Sequence, residues 1–67
     1  MNKYQVKFMR YFTSGNLEGL TFDSSLGFAS LDSATDYMAF LLAHTSKPVD
    51  TIGGSPYTCH VIRLETI

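Results

Sequence analysis

The sequence has no tryptophan, a single cysteine, two prolines and few charged residues. One cysteine, Cys59, excludes an internal disulfide, and together with two histidines it makes a poor zinc set. Five Lys and Arg against six Asp and Glu give a net charge of −1, and charged residues make up only 16% of the chain. That balance provides neither the positive field of a nucleic-acid clamp nor the dense negative field of a DNA mimic.

Long apolar runs are absent as well. The longest, from Tyr37 to Ala43, is far shorter than the roughly 18–20 residues that span a bilayer. The residues after Met1 begin a strand pattern and contain no apolar segment typical of a secretion signal. We therefore expect a cytoplasmic protein that has no cofactor and makes no contact with a membrane, and one unpaired cysteine agrees with a reducing compartment.

What the chain has is apolar content: 45% of its 67 residues are hydrophobic and 13% are aromatic, which is too apolar for a disordered segment. The length predicts one small domain over residues 1–67. A core of this size barely offsets the entropy lost on folding, and a disulfide, a metal or a partner chain commonly compensates. Of these, self-association is the remedy that the composition leaves open.

Hydrophobic alternation predicts two strands that form a hairpin. The first runs from Tyr4 to Phe12 with its even-numbered residues inward, and the second covers Leu20 to Phe28, again with the even positions apolar. Turn residues such as Gly15 and Gly19 lie between them.

A helix is predicted from about Asp32 to His44, with Ser30 or Asp32 as its N-cap. An apolar stripe at three- and four-residue steps would lie on the sheet; it comprises Leu31, Ala34, Tyr37, Met38, Leu41 and Leu42. Ala39, Phe40 and Ala43 fall outside the stripe, so either the core wraps around Phe40 or a second chain covers it. We predict that these three residues are the self-association surface of a homodimer.

The segment from Ser46 to Pro56 is predicted as a loop, and Tyr57 to Thr66 as the last strand. Its inward face is ambiguous, although Ile62 and Leu64 inward would leave the neighbouring charges in water. The expected fold is α+β: a three-stranded antiparallel sheet formed in the order β-β-α-β, with the strands arranged 2-1-3 and one helix packed on one face.

Candidates for chemistry are few. The segment from Thr13 to Gly19 lacks the lysine and the following helix of a phosphate-binding loop. Asp32 and Asp36 lie where the helix dipole favours negative charge. Cys59 and His60 are adjacent on a strand, which points them to opposite faces. We therefore predict a non-enzymatic protein with no catalytic, cofactor-binding or metal-binding residue.

The sheet face without the helix is the more informative feature. We predict that it binds a partner protein through Lys7, Met9, Tyr11, Tyr57 and Val61. Burial of some of these side chains by the long loop is the alternative. A second function, binding of single-stranded nucleic acid, would use the lysines and tyrosines of the same face, Lys3, Lys7, Tyr11 and Tyr57. A structural subunit of a larger assembly is a third interpretation.

Three blocks of the sequence carry a resemblance: Phe12 to Leu20, Phe28 to Ser30 before the helix, and Ala34 with Tyr37 inside it. In these blocks the chain resembles short accessory proteins of bacteriophages and prophages, a group that includes anti-CRISPR proteins. The resemblance implies a small protein that binds a host protein and blocks or adapts it, and it assigns no site residue. The chain departs from the strongly acidic DNA-mimic members of that group in its net charge of −1.

Overall fold

The computed structural model describes every residue from Met1 to Ile67. Four strands and one helix follow one another along the chain: β1 (Tyr4–Phe12), β2 (Thr21–Phe28), α1 (Leu31–Leu42), β3 (Asp50–Ile52) and β4 (Ser55–Thr66). The strands form one antiparallel sheet in the order β2-β1-β4-β3. Helix α1 packs on one face of this sheet, called the helix face below; the opposite face is called the outer face.

The α+β class, the first hairpin and the position of the last strand beside the first are confirmed. Strand β1 has the predicted bounds, whereas β2 begins at Thr21, one residue later than the alternation indicated. Because α1 has only twelve residues, no helix of the chain is long enough to cross a membrane.

The helix begins at Leu31 and ends at Leu42, two residues before the predicted end. Ser30 is the N-cap, and its hydroxyl oxygen accepts a hydrogen bond from the Ser33 amide at 3.2 Å. At the other end, Nδ1 of His44 donates to the Phe40 carbonyl at 2.8 Å, while the His44 carbonyl accepts from the Cys59 amide at 2.9 Å. The residues that follow α1 are therefore held against β4 through the His44 carbonyl.

The prediction of three strands is wrong, because the segment between α1 and β4 contains β3. Gly53 and Gly54 both have positive φ angles, 59° and 82°. They are the two central residues of a tight hairpin turn that pairs Ile52 with Ser55, a turn that requires positive φ at both positions. The glycine pair, interpreted in the sequence as a loop signal, thus adds a strand and extends β4 to Ser55.

The core lies between α1 and the two central strands. Its fully or nearly buried apolar residues come from β1, α1 and β4: Val6, Phe8, Phe12, Ala34, Leu41, Tyr57 and Cys59. The predicted inward positions of β2 behave differently. Phe22 and Leu26 keep 49% and 46% of their surface exposed, because α1 packs mainly on β4 and β1 and meets β2 at Phe28, whose ring lies 5.4 Å from that of Tyr37.

A β-bulge interrupts the pairing of β4 with β1. Lys7 lies opposite Arg63 and Met9 opposite His60, so β4 holds one extra residue between these two pairs. Within the bulge Val61 has a φ of 53°, a left-handed conformation that is strained for a β-branched residue.

The extra residue changes which side chains of β4 face the helix. Before the bulge, Tyr57 and Cys59 point into the core; after it, Ile62 and Leu64 do so. The prediction that Ile62 and Leu64 face inward is therefore confirmed. The placement of Tyr57 on the face without the helix is wrong.

Replacing Val61 by glycine is expected to stabilise the protein. Left-handed φ costs a residue with a side chain about 1–2 kcal/mol, whereas glycine loses about 0.5–1 kcal/mol of chain entropy. We expect the free energy of unfolding to rise by about 0.5–1 kcal/mol, which urea titration followed by circular dichroism would measure. The matched control is Arg63→Gly, at an exposed position of the same strand, where stability should fall. Equal losses in the free energy of unfolding for both variants would contradict the assignment of backbone strain to Val61.

Stability should also fall at alkaline pH. Burial raises the pKa of the Cys59 thiol, and the Arg10 guanidinium opposes this only in part. Burial also raises the pKa of the Tyr37 hydroxyl. Above about pH 8.5 the unfolded chain releases the thiol proton while the native chain retains it, so the free energy of unfolding decreases as pH rises. Urea titrations from neutral to alkaline pH should show this decrease, and Cys59→Ala should make it shallower; a flat profile in the native chain would contradict the assignment.

Candidate interaction surface

The outer face carries no helix, and its side chains are set by the strand register. Lys7 lies beside Arg63 across the β1–β4 pairing, Met9 beside His60, and Tyr11 beside Thr58. Predicted residues Lys7, Met9 and Tyr11 are therefore neighbours on one face, as the alternation of β1 indicated.

The bulge adds Val61 to this group. Its side chain is 64% exposed, whereas its two neighbours in β4, His60 and Ile62, are partly buried. Val61, Lys7, Met9 and Arg63 together line an open concavity of about 350 Å³ beside β2. The structure thus brings together three of the predicted partner-binding residues at the one irregular point of the outer face.

Tyr11 lies on the same face of β1, beside Thr58 and outside this concavity. It is 40% exposed, and its ring meets the His60 ring edge-on with the centroids 6.2 Å apart. Nε2 of His60 is 2.7 Å from the Thr58 hydroxyl oxygen, which fixes the imidazole. The sequence interpretation missed His60, because continuous alternation from Leu64 placed it with the inward residues. It points away from Cys59, as adjacent strand residues do.

Tyr57 does not belong to this surface. Only 9% of its surface is exposed, its ring packs edge-on against Phe12 at 5.6 Å, and the Arg10 guanidinium carbon lies 5.1 Å from its centroid. The bulge is the reason, since it puts Tyr57 on the helix face. The correction removes Tyr57 from the partner-binding set and one of the two tyrosines from the nucleic-acid alternative.

Charges surround the apolar side chains of the outer face. Nζ of Lys7 lies 3.2 Å from a carboxylate oxygen of Glu65, and both side chains are partly exposed, so this ion pair contributes little to stability. Arg63 has no carboxylate within salt-bridge distance, which leaves its guanidinium free for a partner. We name Lys7, Met9, Tyr11, Val61 and Arg63 the outer patch.

The predicted self-association residues lie on the other side of the molecule. Ala39 and Phe40 of α1 and the C-cap residue Ala43 are all exposed. The Phe40 ring stacks on Tyr37 at 6.0 Å and contacts the His44 ring at 4.7 Å, so part of it is covered from within the chain. Self-association through these residues stays a prediction.

Arg10 is a partly buried cation that the sequence interpretation did not assign to a site. It faces the helix side, where its guanidinium carbon lies 5.4 Å from the Phe8 centroid and 5.1 Å from that of Tyr57. Its Nε is buried and has no hydrogen-bond partner. Beside it, Phe12, Phe22 and other residues line a second open concavity of about 370 Å³.

Comparison with protein-family models, curated proteins and solved structures finds no match to this chain. Function is therefore argued from the surfaces described above, since a fold by itself does not assign one.

Arg10→Ala is expected to lower the free energy of unfolding by about 1–2 kcal/mol, because the guanidinium and its aliphatic stem pack on two aromatic rings. The matched control is Arg63→Ala, an exposed arginine without an ion pair, for which we expect a change within about 0.5 kcal/mol. Urea titration of both variants measures the difference. Similar losses in the free energy of unfolding for the two variants would show that the stacking of Arg10 does not stabilise the fold.

Proposed function

We propose that this chain is a non-enzymatic protein-interaction module that binds a host protein through the outer patch and thereby blocks or adapts it. The observation that carries the proposal is Val61, a strained and mostly exposed valine at the bulge. The phage-type accessory role expected from the sequence resemblance is part of this proposal.

The argument begins with the choice of residue at the bulge. A bulge at this point is needed by the core, because it lets both halves of β4 point apolar side chains inward. Valine is not needed for that purpose, since glycine or asparagine would adopt the same φ with less strain. With 64% of its surface exposed, the Val61 side chain recovers little of that strain by burial. Strained backbone persists mostly at functional positions, so we infer that the Val61 side chain is retained for a contact with a binding partner.

The surroundings of Val61 have the composition of an interface. Tyrosine, methionine and arginine are enriched at interface centres. Met9 and Arg63 line the concavity together with Val61, and Tyr11 lies next to Met9 along the outer face of β1. An apolar centre with charges at its border also fits the usual anatomy of such sites. The partner chemistry follows: an apolar side chain for Val61 and Met9, and a carboxylate for the free Arg63 guanidinium.

The nucleic-acid alternative has less support. Stacking of successive bases needs several exposed rings, and of the two predicted tyrosines only Tyr11 is exposed. Lys7, one of the two lysines, is engaged by Glu65. We therefore propose a protein partner, and nucleic acid becomes an outcome of the experiment.

The test is capture of tagged protein from native host extract, with and without nuclease treatment, in wild type and three variants. Val61→Asp should reduce recovery of one stoichiometric host protein by at least about tenfold, the usual effect of losing a central contact. Val61→Gly should reduce it too, while raising the melting temperature, which separates the side-chain contact from folding. The matched control is Leu42→Asp, at an exposed apolar position of α1, which should capture normally.

Two results would contradict the proposal. One is a host protein captured equally well by wild type and Val61→Asp. The other is recovery that disappears on nuclease treatment, which would favour the nucleic-acid alternative.

A further inference from the structure

Strand β2 is a long, open sheet edge. It spans eight residues at the end of the order β2-β1-β4-β3, and most of its residues are exposed. Edge strands in monomeric proteins are usually shortened, bulged, covered, or protected by lysine or proline. Strand β2 pairs with β1 without an irregularity, contains neither residue type and has Asp23 as its one charge. The edge is therefore able to accept another strand.

The backbone geometry defines which groups are available. The Leu20 carbonyl accepts from the Phe12 amide, and the Phe28 carbonyl accepts from the Lys3 amide, both at 3.0 Å. Even-numbered residues of this strand thus direct their backbone groups toward β1. Since these directions alternate along a strand, the outward amides and carbonyls belong to the odd-numbered residues, which are Thr21, Asp23, Ser25 and Gly27.

This edge is complementary to itself. In an antiparallel pair of two β2 strands, a two-fold axis at Ser24 sets Asp23 opposite Ser25 of the second copy, and Thr21 opposite Gly27. It is the register in which all four outward residues are paired. A shift of the axis to Asp23 would put two carboxylates opposite each other, which is destabilising.

The same register covers exposed apolar surface. Phe22 and Leu26 are about half exposed, project on the helix face and flank Ser24 symmetrically. Across the axis, Phe22 of one copy would lie beside Leu26 of the other in a non-hydrogen-bonded pair, the type with the closer side chains. Each copy would cover the apolar side chains that the helix of the other copy leaves exposed.

We propose that two copies of the chain pair antiparallel along β2, with the two-fold axis at Ser24, to form a continuous eight-stranded sheet. The axis is perpendicular to the sheet, so the two outer patches lie on the same face and can bind a two-site partner together. This interface is proposed in place of the surface predicted at Phe40. It borders the outer patch, because Asp23 and Ser25 line the same concavity as Val61.

The first test is the mass in solution, measured by light scattering and sedimentation equilibrium over a concentration series. Wild type is expected at twice the chain mass. Ser25→Pro removes an outward amide without removing a bond to β1, so it should give a folded monomer. Phe40→Asp, on α1, should stay dimeric. A wild type that is monomeric throughout, or a dimer abolished by Phe40→Asp and kept by Ser25→Pro, would overturn the proposal.

The second test measures the register and does not depend on the folding of the proline variant. Ser24→Cys places two thiols opposite each other across the axis, so oxidised glutathione should convert most of the protein to a covalent dimer. Asp23→Cys is the matched control and should remain uncrosslinked, while native Cys59 is fully buried in both. Crosslinking of Asp23→Cys in place of Ser24→Cys would overturn the register. Asp23 and Ser24 also line the concavity of the outer face, so the mass and crosslinking readouts, and not host-protein capture, decide this proposal.

Discussion

The pairing of β4 with β1 changes register at Val61, and the rest of the structure follows from that change. A strand points alternate residues to opposite faces, so an uninterrupted β4 could bury Tyr57 and Cys59 or Ile62 and Leu64, but not all four. One extra residue reverses the alternation halfway along the strand. Both ends of β4 then contribute to the core beneath α1, and the extra residue itself is left on the outer face.

The size of the helix sets the second constraint. The twelve residues of α1 cover the two central strands and reach β2 only at Phe28, so Phe22 and Leu26 remain half exposed. Eleven large apolar side chains are exposed in the whole molecule, against seven buried apolar residues in its core. A chain of this length gains little margin from such a core, and covering the open strand with a second copy is a direct way to bury more apolar surface.

The two faces of the sheet differ in what they contribute: the helix face contributes stability, and the outer face is the proposed binding surface. The helix face contributes stability through aromatic packing, with Arg10 stacked between the Phe8 and Tyr57 rings. The outer face carries the Lys7–Glu65 ion pair and the Tyr11–His60 ring contact, and its apolar centre is built around a residue whose backbone is strained. Proteins retain such strain where the exposed side chain has a use, and this is the physical basis for assigning binding to the outer patch.

The sequence by itself determined the local features. Alternation defined β1 and its inward residues, the apolar stripe defined the helix within two residues at its end, and Ser30 was among the two predicted caps. Lys7, Met9 and Tyr11 were placed together correctly for the same reason. Each of these results depends on neighbours a few residues away, which propensity and periodicity describe well.

Only the tertiary structure decided the fourth strand, the burial of Tyr57 and the exposure of His60. The glycine pair at 53–54 forms a hairpin turn because β4 is there to pair with Asp50–Ile52. The bulge exists because both halves of β4 must meet β1 with their apolar sides toward one helix. A pairing between distant strands sets the register, and a shift of one residue reverses every side chain beyond it, which no local pattern records.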